Sequence, residues 1–148
     1  MPGSASLNTL MRYTQVSIVV MLLLALASCS KRADAVLAKA LIGTWSFNTY
    51  WGTGPQKDSM YASTTYEPGG IMHCESRITT PEGERTVTGT GTWRVQDRHV
   101  VWTINTSTAP DILPIGLSSS DKIIRITETK FTYVDGATKT EETENRVR

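Results

Sequence analysis

Cysteine, net charge and long apolar runs are all scarce in this sequence, and each scarcity excludes a class of protein. Two cysteines among 148 residues cannot form the disulfide framework of a small secreted scaffold. A formal net charge of +1 excludes the strongly basic surface with which many proteins bind nucleic acid. The longest apolar run, twelve residues broken only by Ser17, is shorter than the roughly 20 residues that a membrane-spanning helix needs. The length of 148 residues is sufficient for one domain.

The apolar run, Val16–Ala27, has the length and position of a signal-peptide core. Such cores span about 7–15 residues and follow a positive charge, which Arg12 supplies here. A buried core helix is the alternative, but small residues and a cysteine follow this run directly, as they do at a cleavage site. We therefore predict a leader, whose first residue stays open between Met1 and Met11.

The segment Leu26–Cys29 resembles the lipobox of bacterial lipoproteins, with an aliphatic residue, two small residues and a cysteine. The resemblance implies a signal peptide over residues 1–28, cleavage between Ser28 and Cys29, and lipid on the Cys29 thiol and amino group. Two or three acyl chains would anchor the protein to a membrane, with no other cofactor. Ser30 follows the cysteine, and the resemblance to enterobacterial lipoproteins that lack aspartate at this position implies the outer membrane, facing the periplasm. The alternative is a secreted protein that is cut within the same motif and carries no lipid.

The mature chain is predicted to begin with a tether and short helix over residues 29–40 and to continue as a β domain over residues 41–148. The segment Ala33–Leu41 contains good helix formers but is too short to be stable without packing. Beyond it, short β runs alternate with turn residues. Strands are predicted at Ile42–Tyr50, Met60–Glu67, Gly70–Thr79, Arg85–Val95, His99–Thr106, Lys122–Glu128, Phe131–Asp135 and Lys139–Val147.

Apolar residues alternate along several of these strands, as they do when one face of a sheet is buried. Alternate positions from Val100 to Ile104 are apolar and are expected to share one face. By the same rule, Ile124 and Ile126 are expected to share a face opposite Ile123. Eight sequential strands with tight turns favour an up-and-down antiparallel barrel, because closure removes both exposed edges. The predicted fold class is therefore all-β.

Three motifs resemble those of small bacterial lipocalin-like domains: Leu41–Trp45 with its G-x-W pattern, Tyr66–Ile71 with its glycine turn, and Gly89–Val95. In lipocalins the tryptophan of the first motif closes one end of the barrel, and a basic residue late in the last strand covers it. The resemblance therefore implies that Gly43 and Trp45 form a plug with Arg146, with Arg148 as the alternative. Physically, Gly43 permits a close backbone approach and Trp45 supplies a large apolar side chain.

The segment His73–Glu75 is the one cluster that suggests metal or catalytic chemistry. Alternation along a strand places His73 and Glu75 on the solvent face and Cys74 on the opposite face, so the three side chains cannot converge. A metal site needs further ligands, and the sequence does not place His99 beside them. Cys74 is expected to act as a small buried apolar residue. We predict no metal site, no catalytic residues and no enzyme, since the motifs of common hydrolases and phosphate-binding proteins are also missing.

Two functions remain open for the barrel. The first is a lipid-anchored cell-envelope protein that binds a small apolar or amphipathic ligand inside the barrel. The second is a structural or protein-interaction module of the envelope whose barrel is filled, with a partner that the sequence does not identify. An interior cavity above about 300 Å³ would favour the first.

Overall fold

The computed structural model describes residues 31–51 and 58–148, so the predicted leader and Cys29 lie outside the described residues. Residues 31–41 are helical and form α1. The strands are β1 Gly43–Trp51, β2 Asp58–Tyr66, β3 Ile71–Thr80, β4 Gly83–Gln96, β5 His99–Ser107, β6 Ser118–Ile126, β7 Lys130–Val134 and β8 Glu141–Arg146.

The eight strands form a closed antiparallel barrel in which each strand pairs with the next, and β8 pairs with β1. This confirms the predicted all-β, up-and-down barrel preceded by a short helix. Because β1 begins at the end covered by α1, the β2–β3, β4–β5 and β6–β7 turns lie at that end as well. The β3–β4 turn, the β7–β8 turn and the long connection over residues 108–117 lie at the other end. No helix in the described ranges is long and apolar enough to cross a membrane.

Strand β6 departs from the prediction in two ways. It begins at Ser118 rather than Lys122, so four more residues belong to the barrel wall. Its register with β7 shifts between Ile123 and Arg125, which breaks the alternation. As a result Ile123 is buried and Ile124 is 43% exposed, while Ile126 packs against the core. The prediction that Ile124 and Ile126 share a face was wrong, because a period-2 pattern cannot reveal a register shift.

A core of apolar side chains fills the end of the barrel that α1 covers. Leu37 and Ala38 of α1 pack against this core, and Leu41 is fully buried in it. On β5, Val100 and Ile104 are buried and Trp102 packs against the same cluster, as alternation predicts. The short helix therefore gains its stability from packing on the barrel rather than from its own length.

Asp34 of α1 holds the turn between β4 and β5. Its two carboxylate oxygens accept the backbone N–H groups of Asp97 at 2.8 Å and Arg98 at 2.9 Å. Both turn residues have positive φ angles, 51° and 60°, as in the tight turns that match the twist of a β-hairpin. The contact fastens α1 to the barrel at a position that the hydrophobic pattern does not reveal.

Candidate functional site

Trp45 and Arg146 lie together at the end of the barrel next to α1. The Trp45 side chain is fully buried, and its Nε1–H donates to the Leu41 carbonyl at 2.7 Å. The Arg146 guanidinium carbon lies 4.1 Å from the centroid of the indole ring, within the range of a cation–π contact. The same guanidinium donates to the carbonyls of Ile42 at 2.9 Å and Ala40 at 2.8 Å.

Gly43 lies directly beside this pair. Its φ angle is +129°, a conformation that residues with a side chain rarely adopt. A Cβ atom placed on Gly43 would lie 2.5 Å from Nη1 of Arg146, which two hydrogen bonds already hold in place. Glycine is therefore required both by the backbone and by the space that Arg146 occupies. Arg148 is exposed, and the cation that lies over the Trp45 ring is Arg146.

An interior cavity of about 270 Å³ lies further along the barrel. Phe131 separates it from the plug, because its ring contacts Trp45 edge-on at 5.8 Å and also lines the cavity. Most of the wall is apolar or aromatic. The lining residues are Phe47, Met60, Ala62, Thr64, Tyr66, Met72, Cys74, Ser76, Trp102, Ile104, Leu113, Asp121, Phe131, Tyr133, Asp135 and Glu144.

Asp121 is one of two buried carboxyl groups in the wall, and it accepts three hydrogen bonds from the protein. It is 4% exposed. Trp102 Nε1–H donates to Oδ2 at 2.7 Å, and the backbone N–H of Gly136 donates to Oδ1 at 2.8 Å. The Ser119 hydroxyl also donates to Oδ1. These donors compensate for the loss of water around the carboxylate, so Asp121 links three segments of the wall.

Glu144 is the second buried carboxyl group, and only one of its two oxygens has a hydrogen-bond partner among the described residues. It is 6% exposed, and its Oε1 accepts the Tyr133 hydroxyl at 2.9 Å. Its Oε2 is buried and has no hydrogen-bond partner among the described residues. Burial is the main cause that raises the pKa of Glu144 from 4.5 to about 7. The Tyr133 hydrogen bond opposes this shift in pKa, and the negative charges of Asp121 and Glu142 act in the same direction as burial.

A lateral gap leads toward Glu144. In the described strands, β1 and β8 pair only at Trp45 with Arg146 and at Ser46 with Asn145. Beyond these pairs the strands separate, and a gap of about 330 Å³ opens between them. The gap and the interior cavity share four lining residues, so the two spaces lie side by side. The shared residues are Phe47, Tyr133, Asp135 and Glu144.

A larger groove, of about 470 Å³, lies on the outer surface of β2–β5. It is lined mainly by serine, threonine and outward-facing charged side chains, and several of its hydroxyl groups already pair with each other. Thr90 and Thr106, for example, share a hydrogen bond of 2.7 Å. Because it is open, polar and without a buried unpaired group, this groove is a weaker candidate than the smaller interior cavity.

The residues of the predicted His73–Glu75 cluster diverge. His73 is exposed and pairs with Glu67 at 3.3 Å on the outer surface, while Cys74 lines the interior cavity. Burial raises the pKa of the Cys74 thiol, which forms no disulfide in the described part of the chain. His99 instead contacts the Asp97 carbonyl at 2.8 Å. The described residues contain no group of three or more potential metal ligands.

Sequence reasoning missed Asp121 and Glu144, although a usable signal was present. Side chains two positions apart on a strand share a face. Glu144 precedes the inward-pointing Arg146 by two positions, and Asp121 precedes the buried Ile123 by two. Counting two positions back from Arg146 and from Ile123 places both carboxyl groups inside the barrel.

No protein-family model matches this chain, and no curated protein is significantly similar to it in sequence. Its function is therefore inferred from the geometry of the barrel.

Proposed function

We propose that the protein is a lipid-anchored cell-envelope protein whose lipocalin-like barrel binds a small amphipathic ligand. The observation that carries the binding proposal is the interior cavity, whose aromatic wall contains a buried carboxylate oxygen without a hydrogen-bond partner among the described residues. Small-molecule sites combine a mostly apolar wall with a few polar groups that fix orientation, and this cavity has both.

The size of the cavity limits the ligand. Its volume of about 270 Å³ does not reach the value of about 300 Å³ above which cavity size alone would favour a ligand-binding barrel, so the proposal rests on the character of the wall. The adjoining gap of about 330 Å³ extends the available space toward solvent. A compact molecule with its apolar part inside and its polar part near Glu144 fits this arrangement better than a long-chain lipid.

The lipid anchor is supported by the segment Leu26–Cys29 and the apolar run before it. Lipid on Cys29 would lie two residues before the described helical segment, residues 31–41. A tether of this length would hold the barrel close to the membrane surface, at the outer membrane in the arrangement we propose.

A protein-interaction module is the second candidate, favoured by a specific feature of the loop over residues 108–117. Leu113 of this loop packs against the core and lines the cavity, whereas three neighbouring apolar side chains face solvent. Ile112 is 40% exposed, Ile115 59% and Leu117 41%. Exposed apolar clusters of this kind mark contact surfaces in many proteins.

Calorimetric titration with 2-phenylethanol tests the binding proposal. We expect binding to the wild type and its loss in Ala62→Leu, because Ala62 lines the cavity and the larger side chain would occupy it. Ser63→Leu is the matched control, since Ser63 is the next residue of β2 and lines the outer groove instead. Equal binding by wild type and Ala62→Leu, or no binding at all, would contradict the proposal and favour the interaction module.

A further inference from the structure

We infer that the barrel recognises a cationic amphipath, an ammonium group attached to a compact apolar body, and that Glu144 is the residue that binds the ammonium. This inference rests on the proposed function, because it assigns a chemical class to the ligand of the same cavity. The charged side chains that line the cavity are all acidic. Asp121, Asp135 and Glu144 all line the cavity, and no lysine, arginine or histidine among the described residues does so.

The two buried carboxyl groups differ in what they leave open to a ligand. Asp121 receives three protein donors, so a ligand would have to displace one of them. Glu144 receives one, from Tyr133, and its Oε2 is left without a donor in the described structure. A buried carboxylate without donor or counter-ion is costly. A ligand ammonium group would supply both at Oε2, whereas a ligand carboxylate would add a like charge.

The aromatic wall suits the same ligand. Phe47, Trp102 and Tyr133 line the cavity around the carboxyl groups, and aromatic ring faces attract cations as well as apolar groups. Tyr133 stacks on Phe131 at 4.7 Å, so its ring is held in place while its hydroxyl donates to Glu144. The site thus combines a fixed anion with rigid apolar surfaces.

The lateral gap favours the approach of a cation. Glu142 and Asp135 line it together with Glu144. Carboxylates along an opening raise the local concentration of cations and lower that of anions. A ligand entering between β1 and β8 would therefore meet negative charge before it reached the cavity.

Protonation of Glu144 links this recognition to pH. Around Glu144 the titratable groups in the cavity are Tyr66 of β2, Cys74 of β3, Asp121 of β6 and Tyr133 of β7, and Asp135 and Glu142 also line the gap. Carboxyl, phenol and thiol groups cannot carry a positive charge, so none of them stabilises the Glu144 anion as a cation would. Bound ammonium would stabilise it, and Glu144 would release its proton to the buffer. The preference for an amine should therefore increase from pH 6 to pH 8.

Calorimetric titration of the purified protein at pH 8 with three matched probes tests this inference. The probes 2-phenylethylamine, 2-phenylethanol and 3-phenylpropanoate share a phenyl ring and a two-carbon linker and differ in the charge of the polar group. We expect the amine to bind at least about tenfold more tightly than the alcohol, the size of effect expected for a hydrogen bond to a charged group. The carboxylate should bind most weakly.

Glu144→Gln should abolish the preference for the amine, so that the ratio of the amine affinity to the alcohol affinity falls from at least about tenfold to about one. Glu141→Gln is the control, because Glu141 is exposed on the same strand and lines neither the cavity nor the gap. If Glu144→Gln does not fold, the amine-to-alcohol affinity ratio of the wild type at pH 6 and pH 8 replaces it, and a constant ratio would overturn the inference.

The remaining outcomes separate the inference from the proposed function. If the alcohol binds as tightly as the amine, or if Glu144→Gln keeps the preference for the amine, cation recognition is overturned and the cavity remains a binding site. If none of the three probes binds, both are overturned.

Discussion

Replacing Glu144 with glutamine should make the stability of the barrel less dependent on pH. The folded-state pKa of Glu144 is about 7, above its ordinary value of 4.5. Between these two values the folded protein keeps a proton that the unfolded chain releases, so the free energy of unfolding falls as pH rises. The loss is complete above the folded-state pKa. At about 1.4 kcal/mol for each pH unit, it amounts to about 3 kcal/mol.

Glutamine removes this loss because it cannot ionise. At pH 5 the protonated glutamic acid and the glutamine amide are both neutral, so the two proteins should differ by no more than about 1 kcal/mol. At pH 8 the variant should be more stable than the wild type by about 3 kcal/mol. Urea denaturation at the two pH values, followed by tryptophan fluorescence, measures both differences.

The range from pH 5 to pH 8 distinguishes the effect of Glu144 on stability from the effects of carboxyl groups whose pKa values are lowered in the folded protein. A hydrogen bond from the Arg85 side chain is the main cause that lowers the pKa of Asp111. A hydrogen bond from the Thr138 backbone N–H is the main cause that lowers the pKa of Asp135. Their stabilising effect is lost only in more acidic solution. Glu141→Gln should follow the wild-type pH dependence. Identical pH dependence of wild type and Glu144→Gln would refute the reasoning.

Three further predictions concern the plug and the anchor. Trp45→Ala should destabilise the barrel by about 3–5 kcal/mol and Arg146→Ala by about 2 kcal/mol. A double-mutant cycle should give a coupling free energy of at least about 0.5 kcal/mol, and strict additivity would show that the contact between the two side chains contributes nothing. Gly43→Ala should cost about 1–3 kcal/mol in urea denaturation, because of its positive φ angle and the contact with Arg146; a neutral effect would contradict both reasons. Cys29→Ser should release the protein from membranes or leave the leader uncut, and continued lipid labelling with normal processing would exclude lipidation at Cys29.

The strands could be predicted because their signals are local. Turn residues such as Pro68–Gly70 and Asp97–Arg98 separate the apolar runs, and the observed strand ends mostly fall within a few residues of those predicted. A meander of eight such strands leaves few alternatives to closure. The pairing of Trp45 with Arg146 was reached through resemblance to a motif, because nothing local to either residue indicates the other.

The features that make the cavity a site depend on distant parts of the chain. Oε1 of Glu144 accepts a hydrogen bond from Tyr133, and Oε2 has no hydrogen-bond partner among the described residues. The sequence around Glu144 indicates neither fact. The gap exists because β1 and β8, almost 100 residues apart, pair over a short stretch. The register shift at Ile123 has the same origin, since it depends on how β6 meets β7. Periodicity assigns side chains to faces but does not determine these pairings.

The most direct test of the central claim is an NMR titration of the Glu144 side-chain carboxyl carbon with and without 2-phenylethylamine. We expect a pKa of about 7 in the unliganded protein and a clear decrease when the amine is added, because a bound ammonium group stabilises the carboxylate. A pKa close to the ordinary value of 4.5 that does not respond to the amine would contradict this expectation, since Glu144 would then be solvated and would not be the group that binds the ammonium.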